Sequence, residues 1–285
     1  MSAAGRLVLQ QPSGPISVYY KIKRVLLHTR SRYQDIAIVE LEGFGKTLVL
    51  DGLIQSSVAD EHYYHEFLVH PAMVLHPEPE KILVIGGGEG ATLREVLKHS
   101  TVREAVMVDI DEVVVEVSKK YLEEMHQGSF DDPRARVVVM DGFEYMKQAS
   151  SRGERFDVII MDLTDPYGSE VAATLYSREA FQLAKSTLRE GGVLVTQAGS
   201  RIYFPEGFKK VMSSAASVFK IVMEYGFFVP SFGYINSFVI ASDTLDPLNL
   251  SEDEVKKRLE ERGVKTKVFT PERFRAAFAL GGLTL

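Results

Sequence analysis

Cysteine is absent from the 285-residue chain, which excludes disulfides, thiolate metal sites and a cysteine nucleophile. Avoiding it also suits a hot environment, where oxidisable and thermolabile residues are thinned out. No apolar run reaches the roughly 18 residues that a membrane-spanning helix needs. Positive charge is in the minority: 33 Lys and Arg stand against 39 Asp and Glu, for a net charge of -6. That balance disfavours a nucleic-acid partner. Met1–Gly14 lacks the basic-then-apolar layout of a signal peptide, so the expected location is cytoplasmic. Internal repeats, low-complexity tracts and long charge runs are missing as well. Apolar residues are plentiful: at 45% hydrophobic, the chain can bury a large core, and its length suits one large domain beside a small one.

The pattern changes along the chain. From Gly14 to about Gln55, short β-rich runs alternate with turns, and Gly45 and Gly52 punctuate them; this predicts a small antiparallel sheet. Asp60–Leu75 carries helix-forming residues. From Lys81 onward the periodicity predicts strands at Lys81–Ile85, Ala105–Asp109, Ala135–Met140, Val158–Met161, Gly192–Gln197, Ile221–Phe228 and Asn236–Ser242. Between and after them it predicts helices at Thr92–His99, Glu112–Met125, Gly142–Ala149, Ser177–Leu188, Glu206–Phe219 and Ser251–Arg262. Such alternation predicts an α/β fold, a Rossmann-like, mostly parallel seven-stranded sheet with helices on both faces. The expected domains are an N-terminal β-sheet domain over 1–66 and the Rossmann-like domain over 67–285.

In such sheets ligands bind at the carboxyl ends of the strands. The first strand runs into I-L-V-I-G-G-G-E-G-A, Ile82–Ala91, with Glu89 among the glycines. The second ends at Asp109, about 20 residues on, where an acid can accept hydrogen bonds from ribose hydroxyls. The third ends at Asp141, suited to an exocyclic base amine, and the fourth at Asp162, with Asp165 just beyond. Each acid alone has a simpler reading: Asp109 and Asp111 can cap the following helix, and Asp141 can cap Gly142–Ala149. Capping does not explain why acids recur in phase at four successive strand ends. A rim of carboxylates calls for something cationic. A phosphate-bearing dinucleotide fits poorly, because Gly86-Gly87-Gly88-Glu89-Gly90 places a carboxylate where pyrophosphate would rest. A cationic nucleoside of the adenosylmethionine type fits better.

The glycine loop, M-V-D-I-D, D-G-F-E-Y, Asp162–Pro166, V-T-Q-A-G-S at Val195–Ser200, L-D-G-L-I-Q at Leu50–Gln55 and D-E-H-Y-Y-H-E at Asp60–Glu66 together resemble the spermidine synthase family of polyamine aminopropyltransferases. The resemblance covers nearly the whole chain. It implies transfer of an aminopropyl group from decarboxylated S-adenosylmethionine to a polyamine. In that scheme Gly86, Gly88, Glu89, Asp109, Asp141, Gly142, Gln55 and His65 hold the donor, with Asp109 on the ribose, Asp141 on the adenine amine and Glu89 on the ammonium. Asp162 is the general base and Tyr64 its partner on the attacked nitrogen; Asp165 and Phe232 complete the acceptor site. The donor is a co-substrate, so no cofactor, metal or covalent intermediate is implied. The partners implied are small molecules, with no nucleic acid and no membrane, and further copies of the chain: a homodimer or homotetramer built through the N-terminal sheet, where Val18–Leu27 is rich in apolar and aromatic residues.

Several departures point to a longer acceptor. Glu89 replaces the usual aspartate, Leu163 stands where a hydroxyl residue is usual, and the segment after Pro166, Y-G-S-E-V-A-A-T, is long. These features and V-P-S-F at Val229–Phe232 are similar to the thermospermine synthase branch, which implies spermidine as acceptor, with putrescine-like diamines as the alternative. An adenosylmethionine methyltransferase would share the sheet and Asp109 but would not need Glu89 or the Asp162–Asp165 pair. A nucleoside-binding module with a lapsed site would need neither Tyr64 nor Asp162. Residues beyond about Asp243, including Pro247–Leu285, carry no site motif and read as a closing helical segment.

Overall fold

A computed structural model of the protein describes residues 7–13, 15–165 and 174–281. Two sheets organise it. The first is antiparallel, in the order β1 (Leu7–Ser13), β2 (Ile16–Arg30), β3 (Asp35–Leu41), β4 (Gly45–Leu50) and β5 (Leu53–Ser57). β1 lies outside the expected strands. Its register with β2, from Leu7 opposite Ile22 to Ser13 opposite Ile16, comes from pairing rather than from its own periodicity, and its Pro12 is tolerable because β1 lies at the end of the strand order.

Helix α1 (Glu61–Leu75) links the two sheets, and the expected 66/67 division falls within it. The second sheet has seven strands in the order β11-β12-β10-β9-β6-β7-β8. They are β6 (Lys81–Gly86), β7 (Glu104–Asp109), β8 (Ala135–Val139), β9 (Phe156–Asp162), β10 (Leu188–Gln197), β11 (Ile221–Val229) and β12 (Tyr234–Ser242). β12 pairs antiparallel with both β10 and β11, whereas the β10-β9-β6-β7-β8 pairings are parallel. The central strands β6, β7 and β9 are apolar through their middles because both faces are covered. Ile82, Val84, Met107 and Ile160 face the core under α1, while Leu83, Ile85, Val106 and Ile159 face the core under α5 (Gly142–Ser151), α6 (Arg178–Thr187) and α7 (Pro205–Ala216).

The expected helix over Glu112–Met125 is broken. α3 (Glu112–Tyr121) ends at Leu122, whose φ of -117° and ψ of 38° leave the helical region, and a short α4 (Glu123–His126) follows. The break sets Leu122 and Met125, both fully buried, into a small core with Ile36, Ile38 and Leu48 of the first sheet. The closing segment folds as α8 (Glu252–Glu261) and α9 (Pro271–Gly281). It is fastened to α1: Arg258 donates to the carbonyls of Val74 and Leu75, and Arg262 to those of Met73, His76 and Pro77. These guanidinium groups satisfy carbonyls that a helix C-terminus leaves without intrahelical partners. No helix among the described residues is long and apolar enough to cross a membrane.

Candidate active site

Strand order dictates where the crevice lies. β6 is flanked by β7 on one side and β9 on the other, so the connections diverge between β6 and β9, the switch point at which doubly wound sheets bind ligands. There Gly86 is the register partner of Asp162, and the Gly87 amide donates to the Asp162 carbonyl at 3.0 Å. Gly86 has a φ of +83°, and a Cβ on it would lie 2.0 Å from the Asp162 carbonyl oxygen; only glycine lets the loop pass this close. Helix α2 (Ala91–Leu97) starts immediately after the loop.

A cavity of about 250 Å³ opens over this point. Gln55, Tyr64, Gly86, Gly88, Glu89, Asp109, Asp141, Gly142, Asp162, Asp165 and Phe232 all line it. The segment 167–173 of the expected long acceptor loop lies outside the described residues. Six carboxylates, those of Asp51, Glu89, Asp109, Asp141, Asp162 and Asp165, face the cavity, and none of its described lining residues is Lys, Arg or His. Asp141 caps α5 by accepting from the Glu144 amide at 3.0 Å, and it also lines the cavity. Asp111 is the cap of α3, accepting from Val113, and Ser31 and Gln34 of the β2–β3 turn also donate to it. Asp109 accepts from the Asp111 amide at 2.8 Å and also lines the cavity.

The electrostatics follow from burial and crowding. Asp162 is pushed up to about 6 by burial first and the Glu89 charge second, with His65 and the hydroxyls of Thr92 and Tyr64 pulling the other way. Asp109 is raised to about 7 by burial, opposed by the amide of Asp111 and reinforced by the Glu89 charge. Tyr64 donates to Asp162 Oδ1 at 2.9 Å and Thr92 to Oδ2 at 2.5 Å. Burial and the Asp162 charge hold the Tyr64 phenol well above its usual value, so it stays a donor.

His65 does not reach the cavity wall. It is 1% exposed and lies behind Glu89, with Nε2 2.7 Å from Glu89 Oε1 and Nδ1 2.9 Å from Glu61 Oε2. Burial alone would lower its imidazole, but the two carboxylates outweigh burial and raise it to about 10. Atoms of His65, Glu89 and Asp162 lie within 4.8 Å of one another, a spacing that would suit a cation. His65 already spends both ring nitrogens on carboxylates, so a cation there would have to displace one of those contacts.

A model of the spermine/spermidine synthase domain matches residues 61–252, and one of the spermidine synthase tetramerisation domain matches residues 10–57. The chain belongs to the spermine/spermidine synthase family. It is an aminopropyltransferase of polyamine biosynthesis. It is 60% identical over 280 residues to polyamine aminopropyltransferase 1 of Hyperthermus butylicus, covering 98% of this chain and 96% of that one. It is 55% identical over 267 residues to the polyamine aminopropyltransferase of Pyrobaculum aerophilum, covering 93% and 92%. Among solved structures, a spermidine synthase in complex with the transition-state analogue AdoDATO superposes with a TM-score of 0.89 at 34% identity, covering 96% of this chain and 92% of that one. The spermidine synthase of Thermotoga maritima gives 0.85 at 33%, covering 96% and 91%.

Sequence reasoning missed several residues of this aminopropyltransferase's cavity. Thr92, the second residue of α2, holds the second oxygen of Asp162 from behind the cavity wall, and no motif marks a threonine there. Gln197 ends β10 and lines the cavity; it donates to the Leu163 carbonyl and accepts from the Gly199 amide. Its strand-end position was the available signal, since the same rule found the four acids. Tyr33 and Gln34 reach the cavity from the β2–β3 turn of the other sheet, a contact that no local pattern encodes.

Proposed function

We propose that the enzyme transfers the aminopropyl group of decarboxylated S-adenosylmethionine to a polyamine longer than putrescine, spermidine being the type, and releases 5'-methylthioadenosine. The observation that carries this reading is the cavity's charge: six carboxylates and no cationic side chain among the described lining residues. Such a site favours ligands that bring the missing positive charge. The donor brings a sulfonium and an ammonium. Asp109 would hold the ribose hydroxyls and Asp141, with Gly142, the adenine amine. Gly86 and Gly88 let the backbone approach, and Gln55 closes the donor from the first sheet. Glu89 would pair with the propyl ammonium, and intact adenosylmethionine would bring its own carboxylate against Glu89.

A polyamine's primary amines, like that of Lys, have a pKa near 10, so only about one in a thousand is neutral at pH 7. Asp162 would take the proton as general base while Tyr64 donates to the same carboxylate. The nitrogen's lone pair then forms the new N–C bond at the carbon beside sulfur; the C–S bond breaks and its electron pair stays on sulfur as a neutral thioether. Holding both reactants in line supplies much of the rate, and this displacement asks for no cofactor or metal. Asp165 would bind acceptor nitrogen, while Leu163, Leu175 and Phe232 give the cavity apolar wall that suits the methylene segments of a longer amine. We further propose a homo-oligomer built through the N-terminal sheet, where Tyr19 is 63% exposed and Val25 48%.

The test is to incubate the protein with decarboxylated adenosylmethionine and a panel of diamines and triamines and to identify products by mass. We expect methylthioadenosine with a tetramine from spermidine as the fastest product. A preference for putrescine would replace the acceptor assignment, and release of S-adenosylhomocysteine from intact adenosylmethionine would replace the reaction.

A further inference from the structure

The residues behind Glu89 form a buried row of alternating charge. Arg94, on α2, donates to both oxygens of Glu61 at 2.8 and 3.1 Å. Glu61 meets His65 Nδ1 at 2.9 Å, and His65 Nε2 meets Glu89 Oε1 at 2.7 Å. Arg94, Glu61 and His65 are at most 7% exposed. Cations and anions alternate from the protein interior to the cavity wall, and His65 is the last cation before the substrate.

The row answers a problem that the proposed reaction raises. Glu89, Asp162 and Asp109 must all be ready for cationic substrates before those substrates arrive. Three carboxylates crowded into a desolvated site repel one another, and one of them would take up a proton. A cation on the cavity wall would cure this but would repel the substrates. One placed a residue deeper does not. We propose that His65 is a positioning residue: a fixed interior cation, locked by Glu61 and Arg94, that holds Glu89 by one oxygen and lets Glu89 and Asp162 face the cavity together as carboxylates. Its grip on Oε1 leaves Oε2 for the donor's ammonium, so the row also orients the group that reads the decarboxylated end. This role rests on the reaction proposed above, but the charge state of His65 is a property of the free protein.

The groups that bear on His65 and Asp162 come from every neighbouring element. They are Glu61 and Tyr64 on α1, Glu89 on the loop, Arg94 and Thr92 on α2, Asp162 on β9, and Tyr176 before α6. Burial lowers His65, but its two carboxylates outweigh this and raise it to about 10; Glu61 is held down to about 2, with His65 and Arg94 outweighing its burial.

Two measurements test the proposal separately from the reaction. In the first, histidines of the full-length free protein are isotope-labelled and titrated by NMR, His65 being assigned by its loss in His65→Gln. We expect an imidazolium signal with no titration between pH 5 and 9, and a midpoint shifted down by at least about one unit in Glu61→Gln, which removes one of the two anions. A wild-type His65 that titrates near 6.5 overturns the proposal whatever the enzyme catalyses. In the second, the pH profile of kcat/KM is measured for His65→Gln, which keeps a donor but loses the charge. We expect the acid limb to move up by about one pH unit and the KM for the donor to rise about tenfold, because Glu89 is no longer held. A uniform loss of kcat with an unmoved limb would show a merely structural histidine and overturn the proposal. If His65→Gln does not fold, His65 is assigned instead by its shift in Glu61→Gln, and the wild-type titration decides: an imidazolium that does not titrate between pH 5 and 9 supports the proposal, and a midpoint near 6.5 overturns it.

Discussion

Asp162, the proposed general base, illustrates how burial changes a single carboxylate. An ordinary aspartate is too weak to draw a proton from an ammonium, and burial beside Glu89 raises this one to about 6. It remains ionised at neutral pH, and its two oxygens are oriented by Tyr64 and Thr92. Asn at this position keeps the shape and loses the basicity. For Asp162→Asn we expect donor affinity, read by calorimetry, to be retained and turnover to fall at least about a hundredfold, the lower range for loss of a general base. Turnover within a factor of ten of wild type would remove Asp162 from the mechanism. This residue and the other strand-end acids were legible in the sequence because strand length and phase alone deliver them to the rim. Thr92, Glu61 and Arg94 were not legible: each acts through a partner that only tertiary packing brings near.

At the scale of elements, α1 carries the most information. It presents Glu61, Tyr64 and His65 toward the site at i, i+3 and i+4. The next residue, Glu66, turns away and accepts the backbone amides of Lys267, Val268 and Phe269 at 2.7 to 2.8 Å. The closing segment, for which the sequence offered no role, is therefore the clamp on the helix that positions the site. It was silent because its signals are single side chains reaching distant backbone atoms. By contrast, the seven strands of the second sheet were legible to within a few residues, since their apolar runs record burial on both faces. In Glu66→Ala three amides lose their acceptor, and we expect a loss of roughly 3 to 5 kcal/mol in denaturant unfolding, with faster amide exchange across 267–281. A loss under about 1 kcal/mol would show that the segment is held by its apolar contacts alone.

For the whole molecule, the charged interior predicts how stability varies with pH. Glu61 is lowered from 4.5 to about 2, so its contribution is present above 4.5 and is lost as pH falls toward 2. His65 is raised from 6.5 to about 10, so its contribution is full below 6.5 and is lost as pH rises through 10. Asp109 and Asp162 are raised from 3.8 to about 7 and about 6. The folded state holds their protons longer than the unfolded chain does, so both cost stability as pH rises through that range. The melting temperature of the ligand-free protein should therefore fall from pH 6 to pH 10, and His65→Gln should flatten the upper half of the decline. A rise in wild-type Tm over this range would contradict the assigned charges.

The cavity is, in these terms, a salt that lacks its counter-ion. Six carboxylates gather where the two sheets meet, and the fold supplies one interior imidazolium on their behalf. The rest of the neutralisation arrives with the substrates. Anything that binds the folded state alone also stabilises it by mass action, so the proposed cationic donor and acceptor would be structural partners as well as reactants. An enzyme built this way would be sturdiest when its substrates are abundant.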